Sequence, residues 1–92
     1  MIRVGSIGLG GMGMHQAKTF NQVTGCELVA GADLSPEMRA RFTETFPGTK
    51  TYDSPESLLA QPDIDAVVVA VPTGFHQQVA SAALAARKPV LL

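Results

Sequence analysis

Short apolar runs alternate with amphipathic segments along this chain, and the alternation restricts its fold more than any other feature. The runs span residues 2–7, 26–32 and 65–71, and a fourth begins at 89–92. The third run contains consecutive valines without polar alternation, which favours a strand covered on both faces. This order predicts parallel strands joined by right-handed crossovers, with helices on both faces of one sheet.

Helix signals occupy the segments between these runs. Residues 11–23 and 75–87 carry apolar side chains at helical spacing, which predicts an amphipathic helix in each segment. The start signals Ser35-Pro36-Glu37 and Ser54-Pro55-Glu56 predict two further helices. In each signal the serine caps free amide groups, the proline fixes φ in the first turn, and the acid suits the positive helix end. The first of these helices ends at Pro47-Gly48, and the second is a short turn.

The composition excludes several classes of protein. Hydrophobic residues make up 46% of the 92 residues, charged residues make up 16%, and the formal net charge is −1. Such a chain is too apolar for a disordered tail and has no basic excess for nucleic acid or a membrane surface. The single cysteine, Cys26, excludes an internal disulfide and a multi-cysteine metal centre, so we expect no metal and a cytoplasmic setting. No apolar run approaches the ~20 residues of a membrane span.

A glycine-rich turn directly follows the first predicted strand. The sequence Gly8-Leu9-Gly10-Gly11-Met12-Gly13 matches the pattern G-x-G-x-x-G and opens the first predicted helix. Gly8 permits the tight turn, Gly10 lets the backbone approach a pyrophosphate, and Gly13 lets helix and strand pack closely. The free amides and the dipole at the helix start attract phosphate charge. The turn therefore predicts a dinucleotide site formed by Gly8, Gly10, Gly11, Met12 and Gly13.

An acidic residue follows the second predicted strand. Asp33 lies about 20 residues after Gly13, where the dinucleotide fingerprint carries the acid that binds the adenosine ribose hydroxyls. A carboxylate there repels a 2′-phosphate, so NAD is favoured over NADP. Arg39 and Arg41 lie further along the chain and could still compensate the charge. The alternative is a glycine-rich turn in which Asp33 only caps a helix.

The segment after the third long run lies at the carboxyl edge of the predicted sheet, where open α/β sheets bind ligands. It contains Val71, Pro72, Thr73 and His76. Thr73 either donates a hydrogen bond to a ligand or caps the next helix. His76 either contacts a cofactor or is a polar residue of the first helical turn. The sequence leaves both pairs of alternatives open.

Several separated segments together resemble the N-terminal domain of the Gfo/Idh/MocA family, which includes glucose–fructose oxidoreductase and inositol dehydrogenase. They are the glycine-rich turn, Leu-Val-Ala-Gly-Ala-Asp ending at Asp33, Tyr52-Asp53 before Ser57-Leu58-Leu59, Asp63-Ile64-Asp65-Ala66-Val67, Val71-Pro72-Thr73 with His76, and Ala85-Ala86-Arg87-Lys88-Pro89-Val90-Leu91. The resemblance covers nearly the whole chain. It departs from the family at Gln16, where a histidine often stands.

This resemblance implies a fold and a domain organisation. The fold is a Rossmann-like, doubly wound parallel sheet in three α/β/α layers, with strand order 3-2-1-4. The family's second, substrate-binding domain is expected to be absent, and residues 1–92 are expected to form a partial dinucleotide-binding domain that ends after the fourth strand. The family's catalytic lysine follows that strand. We therefore assign no catalytic residue and expect the 92 residues alone to be inactive.

The resemblance also implies an activity and a set of cofactor contacts. The activity is hydride transfer between NAD(P) and a sugar, a polyol or a related hydroxyl or carbonyl compound. The resemblance implies that the pyrophosphate is contacted by Gly8, Gly10, Met12 and Gly13, and that the adenosine ribose is held by Asp33. It also implies that the path to the nicotinamide is lined by Val71, Pro72, Thr73 and His76.

Two other interpretations compete with this one. The first is an engineered or truncated Rossmann fragment without a catalytic role, which self-associates through its exposed fourth strand. Pro89, Val90, Leu91 and Leu92 carry no charge to protect that edge, so a two-fold dimer is expected. The second is a Rossmann-like methyltransferase, which is less favoured because its turn usually follows G-x-G-x-G.

Overall fold

The structure is a computed structural model that describes residues 1–91, apart from the side chain of Thr73. Within these residues, five strands alternate with four helices. The strands are β1 (Ile2–Ile7), β2 (Cys26–Ala32), β3 (Lys50–Tyr52), β4 (Ala66–Val69) and β5 (Val90–Leu91). The helices are α1 (Gly11–Asn21), α2 (Pro36–Thr45), α3 (Pro55–Leu59) and α4 (Thr73–Ala85).

The strands form one parallel sheet in the order β3-β2-β1-β4-β5. The chain winds outward from β1 through β2 to β3, and then crosses to the other side of β1 to form β4 and β5. This doubly wound, Rossmann-like α/β architecture confirms the predicted fold class. The order also places the reversal of winding between β1 and β4, where open α/β sheets bind their ligands.

The sheet contains β3 (Lys50–Tyr52), which was not predicted from the sequence. The strand has only three residues and pairs with the end of β2 from Ala30 to Ala32. Its residues form no apolar run, so hydrophobic periodicity cannot reveal it, and the existing edge of β2 templates it instead. As a result the sheet has five strands rather than four, and the predicted last strand pairs with β4 as the outermost strand.

Helices cover both faces of the sheet. On one face, α1 and α2 pack through the buried residues Leu9, Ala17, Leu28, Phe42 and Phe46. On the other face, α3 and α4 pack through Ile7, Ala30, Ala32, Leu58, Leu59, Ile64, Val67, Val69, Val79 and Ala83. All of β4 is buried, as its unbroken valines predicted. No helix within residues 1–91 is long and apolar enough to cross a membrane.

A β-bulge in β2 determines which side chains face each layer. Val4 pairs with Leu28 and Gly5 pairs with Ala30, so Val29 has no partner in β1. The extra residue reverses the alternation of side chains, and Leu28 and Ala30 therefore belong to different core clusters. Beyond the bulge, Gly31 faces α2, because a Cβ atom there would lie 2.9 Å from the Phe42 ring.

Lys88 anchors β5 at the amino edge of the sheet. The residue is buried, with 8% of its surface exposed. Its Nζ atom donates to the carbonyl oxygens of Gln61 at 2.9 Å and Ile64 at 2.6 Å. These bonds connect the turn before β5 to the segment between α3 and β4. Because a buried ammonium group needs such acceptors, the contacts also account for the burial of a lysine here.

Candidate functional site

The turn from β1 into α1, residues 8–13, requires glycine at two positions for packing. Gly8 has φ +94°, and a Cβ atom on it would overlap the carbonyl oxygen of Ala70, just beyond β4. A Cβ atom on Gly13 would overlap the carbonyl oxygen of Gly8. Gly8 N–H also donates to the carbonyl oxygen of Ala32, at the end of β2. These contacts hold the start of α1 directly over the carboxyl ends of three neighbouring strands.

Packing does not require glycine at the other two positions of this turn. A Cβ atom on Gly10 or Gly11 would meet no heavy atom within 4 Å. Gly10 is the N-cap of α1 and gives no side-chain cap, and the first turn contains no acidic residue. The amides of Gly11, Met12 and Gly13 have no acceptor within the helix, as in the first turn of any α-helix. The start of α1 is therefore an open, positively polarised group of N–H donors.

Asp33 links this turn to the end of β2. Its Oδ2 atom accepts a hydrogen bond from Leu9 N–H at 2.8 Å, and its Oδ1 atom accepts one from Ser35 N–H at 2.9 Å. The two bonds orient the carboxylate next to the glycine turn. Each carboxylate oxygen can accept more than one bond, so both retain capacity for a further donor.

The fold brings an arginine to Asp33 that is six positions away in sequence. Arg39 Nη1 donates to the carbonyl oxygen of Asp33 at 2.8 Å and to that of Leu34 at 3.2 Å. The guanidinium group therefore lies against the backbone of Asp33, although no arginine is adjacent to it in the sequence. Leu34, between them, is 81% exposed.

A cleft of about 520 Å³ lies on the other side of the glycine turn, at the carboxyl end of β4. We call it the β4 cleft; its lining residues are Met12, Gln16, Val69, Ala70, Val71, His76, Gln77 and Leu91. The structure thus brings together three of the predicted site residues in it, namely Met12, Val71 and His76. Asp33 lies at β2 instead. Pro72 is exposed at the N-cap of α4, and the side chain of Thr73 lies outside the described residues.

Five residues of the β4 cleft were not predicted from the sequence: Gln16, Val69, Ala70, Gln77 and Leu91. Gln16 follows Met12 by four positions, so the two side chains share one face of α1. That spacing is a signal in the sequence that could have revealed Gln16. The Oε1 atom of Gln16 is buried and accepts no hydrogen bond from the described part of the chain.

The chemistry of the β4 cleft is mostly neutral. Among its lining residues within the described chain, His76 alone carries a titratable side chain. In residues 1–91 no group of three or more His, Cys, Asp or Glu side chains could hold a metal ion. The pKa of Asp65 lies below its usual value, because the carboxylate accepts a hydrogen bond from the backbone N–H of Arg3. Asp65 precedes β4 at the opposite edge of the sheet, so this carboxylate is not part of the cleft. The cleft therefore offers shape, hydrogen bonds and one imidazole.

The chain is similar to several dehydrogenases of known identity. It is 37% identical over 90 residues to an inositol 2-dehydrogenase from Acidothermus cellulolyticus, covering 97% of this chain and 26% of that protein. Its structure matches a myo-inositol dehydrogenase from Lactobacillus casei in complex with NAD(H) and myo-inositol, with TM-score 0.92, 35% identity and coverage of 98% of this chain and 27% of that one.

A further structural match is a 3-ketoreductase from Actinomadura kijaniata in complex with TDP-benzene and NADP. The TM-score is 0.86 and the identity 33%, and the match covers 97% of this chain and 28% of that one. The chain thus spans about a quarter of the length of these relatives.

The family comparison agrees with the glycine turn and the strand order. The matching family is described as an oxidoreductase family with an NAD-binding Rossmann fold, and the match extends over residues 2–92. This chain belongs to the Gfo/Idh/MocA family of oxidoreductases and consists of sequence from its NAD-binding Rossmann domain.

Proposed function

We propose that the chain holds NAD across the carboxyl edge of its sheet, with the pyrophosphate at the glycine turn. The observation that carries this proposal is the open start of α1. Nothing lies within 4 Å of a Cβ position at Gly10 or Gly11, and no side chain caps the helix. A pyrophosphate fits this place, because free amides and a positive helix end attract its charge while a side chain at Gly10 would obstruct it.

Asp33 is proposed to hold the adenosine ribose. The bonds from Leu9 N–H and Ser35 N–H orient the carboxylate beside the glycine turn, and its remaining acceptor capacity suits a pair of ribose hydroxyls. Its negative charge opposes a 2′-phosphate, which favours NAD over NADP. Arg39 lies close enough to reduce that repulsion, since its guanidinium contacts the Asp33 backbone. We therefore expect a preference for NAD rather than complete exclusion of NADP.

The nicotinamide half is proposed to occupy the β4 cleft, beside Val71 and His76. Pro72 and Thr73 stay sequence predictions for this path, because Pro72 is not among the residues that line the cleft and the side chain of Thr73 lies outside the described residues. The bound nicotinamide supplies the hydride acceptor or donor. The chain itself positions the ring, because β4 and the start of α4 form the walls beside it. Since its relatives include inositol dehydrogenases, the proposed substrate of the whole enzyme is a cyclic polyol or a related sugar.

Catalysis by the 92 residues alone is not expected. Removing a hydride from a hydroxyl-bearing carbon requires a base for the hydroxyl proton, and we assign no such role within this chain. Its proposed contribution is binding and orientation of the cofactor. A folded chain should therefore bind NAD without oxidising polyols.

The test is titration of the chain with NAD and NADP by calorimetry or NMR. We expect NAD to bind near the millimolar range, which corresponds to about −4 kcal/mol. Asp33→Asn should weaken NAD about tenfold, because a charged acceptor is lost, and should reduce the difference between NAD and NADP. Glu44→Gln, which removes the same charge from an exposed site on α2, should have no effect. Failure of the unmodified chain to bind either dinucleotide would contradict the proposal.

Self-association is a second proposed property of the 92-residue chain. Among residues 1–91, β5 pairs with β4 on one side and with no strand on the other. Pro89, Val90 and Leu91 place no charge on that edge, which favours pairing with a second copy; Leu92 lies outside the described residues. Size-exclusion chromatography with light scattering should detect a dimer, and a clean monomer at high concentration would refute it.

A further inference from the structure

Gln16 has an unpaired acceptor in the wall of the β4 cleft. The side chain leaves the second turn of α1 beside Met12 and lines the cleft with Val71 and Leu91. Its Oε1 atom is buried and has no hydrogen-bond partner within the described chain. Buried polar atoms in native proteins are nearly always paired, so an exception needs a physical reason. The Oε1 atom is covered by the protein itself, so a ligand in the cleft reaches it only by rotation of the Gln16 side chain. The side chains of Val69 and Val71, which line the same cleft, carry no donor for it.

The strand order indicates which part of a dinucleotide reaches this atom. Asp33 ends β2, on one side of β1, whereas the β4 cleft lies on the other side. If the pyrophosphate meets the start of α1 and the adenosine ribose meets Asp33, the remaining half must extend over β4. This step rests on the proposed function. The half that extends over β4 is the nicotinamide riboside.

We propose that Gln16 is a cofactor-positioning residue whose side-chain carbonyl accepts a hydrogen bond from the nicotinamide riboside half of NAD. An acceptor oxygen selects donors, and this half carries two kinds: the carboxamide N–H groups and the ribose hydroxyls. A pyrophosphate has no donor at neutral pH and cannot satisfy the atom. The pairing removes the unfavourable free energy of the unpaired acceptor only when the cofactor is bound, and so adds directly to affinity.

The test compares three ligands that differ only on the nicotinamide side. ADP lacks the whole nicotinamide riboside, ADP-ribose retains the ribose hydroxyls, and NAD carries both the ribose and the carboxamide. Gln16→Met retains the length and most of the volume of the side chain but removes its amide. We expect this variant to weaken NAD about fivefold and to leave ADP unchanged. Weakening of ADP-ribose as well would identify a ribose hydroxyl as the donor, whereas unchanged ADP-ribose would identify the carboxamide.

Two further measurements separate this role from simple packing. Unliganded Gln16→Met should melt at the same temperature as the unmodified chain or higher, because it removes an unpaired buried acceptor. The side-chain amide resonance of Gln16 should shift in NMR spectra on addition of NAD but not of ADP. Gln22→Met, at the exposed far end of α1, provides a matched control that should bind all three ligands normally.

Distinct results overturn the two proposals. If the unmodified chain binds NAD and Gln16→Met binds it equally well, the role of Gln16 is refuted while the proposed function stands. Equal weakening of NAD and ADP also refutes it, because the effect would then come from the pyrophosphate or adenosine side. If the unmodified chain binds neither ADP nor NAD, the proposed function itself fails, and the role of Gln16 fails with it.

Discussion

The helices of this small domain begin in two different ways: α2 and α3 have a serine cap and a first-turn acid, whereas α1 and α4 have no side-chain cap and no first-turn acid. α2 begins at Ser35, whose Oγ accepts a hydrogen bond from Met38 N–H at 3.3 Å, and α3 begins at Ser54 in the same manner. Both have proline and glutamate in the first turn. α1 begins at Gly10, without a side-chain cap, a proline or an acid. The chain therefore satisfies the starts of α2 and α3 by itself and leaves the start of α1 for something else.

This difference separates residues that serve the fold from residues that serve a ligand. A serine cap and a first-turn acid each stabilise a helix, so their absence from α1 costs stability. The same groups would obstruct and repel a phosphate. Within the glycine turn the two purposes are divided by position, since Gly8 and Gly13 are required by contacts inside the chain whereas Gly10 and Gly11 face open space.

The largest expected effect is on stability, and it tests whether Gly8 and Gly13 serve packing while Gly10 and Gly11 do not. Gly13→Val should destabilise the chain by about 3 kcal/mol or more, because the new side chain would overlap the carbonyl oxygen of Gly8 and force α1 off the sheet. Gly11→Ala is the matched control, as its Cβ atom meets nothing within 4 Å. Its stability should stay within about 0.5 kcal/mol of the unmodified chain. Urea unfolding followed by circular dichroism measures both, and equal losses would show that packing alone explains the glycines.

A smaller effect on stability, with a large effect on binding, is expected from giving α1 the kind of start that α2 has. Gly10 has φ −70° and ψ −171°, which other residues adopt readily, so Gly10→Asp should fold. The aspartate should cap α1 and raise stability by about 0.5 kcal/mol, because a carboxylate favours the positive helix end. It should also abolish NAD binding, because it places a negative charge at the phosphate site. NAD titration and thermal melting measure the two effects. If Gly10→Asp still binds NAD, the assignment of the phosphate site to the start of α1 is wrong.

Removing the cap of α2 is the reverse of adding a cap to α1. This change should lower stability and should have the smallest effect on NAD binding. Ser35→Ala removes the cap of α2 and should cost about 1 kcal/mol of stability. The backbone N–H of residue 35 still donates to Asp33, so NAD affinity should remain within about twofold. Loss of NAD binding in this variant would mean that the starts of α1 and α2 are not functionally distinct.

The elements that were predicted from the sequence have local signals, whereas those that were missed form only through contacts with distant segments. The valines of β4 and the Ser-Pro-Glu starts of α2 and α3 are local signals, and each was found. β3 was missed because Lys50, Thr51 and Tyr52 carry no apolar pattern and become a strand only by pairing with β2. The place of Gln16 in the β4 cleft was missed for a similar reason, because residues of β4 and α4 line the same cleft.

By itself, the sequence determined the alternation of strands and helices, the glycine turn and the acid that follows β2, because apolar periodicity and glycine's freedom at φ +94° act over a few neighbouring residues. Only the tertiary structure decided that Arg39 lies against Asp33, that a bulge at Val29 divides β2 between two core layers, and that the Gln16 carbonyl is buried without a partner. These features arise from contacts between distant segments, and such contacts exist only when the whole sheet is assembled.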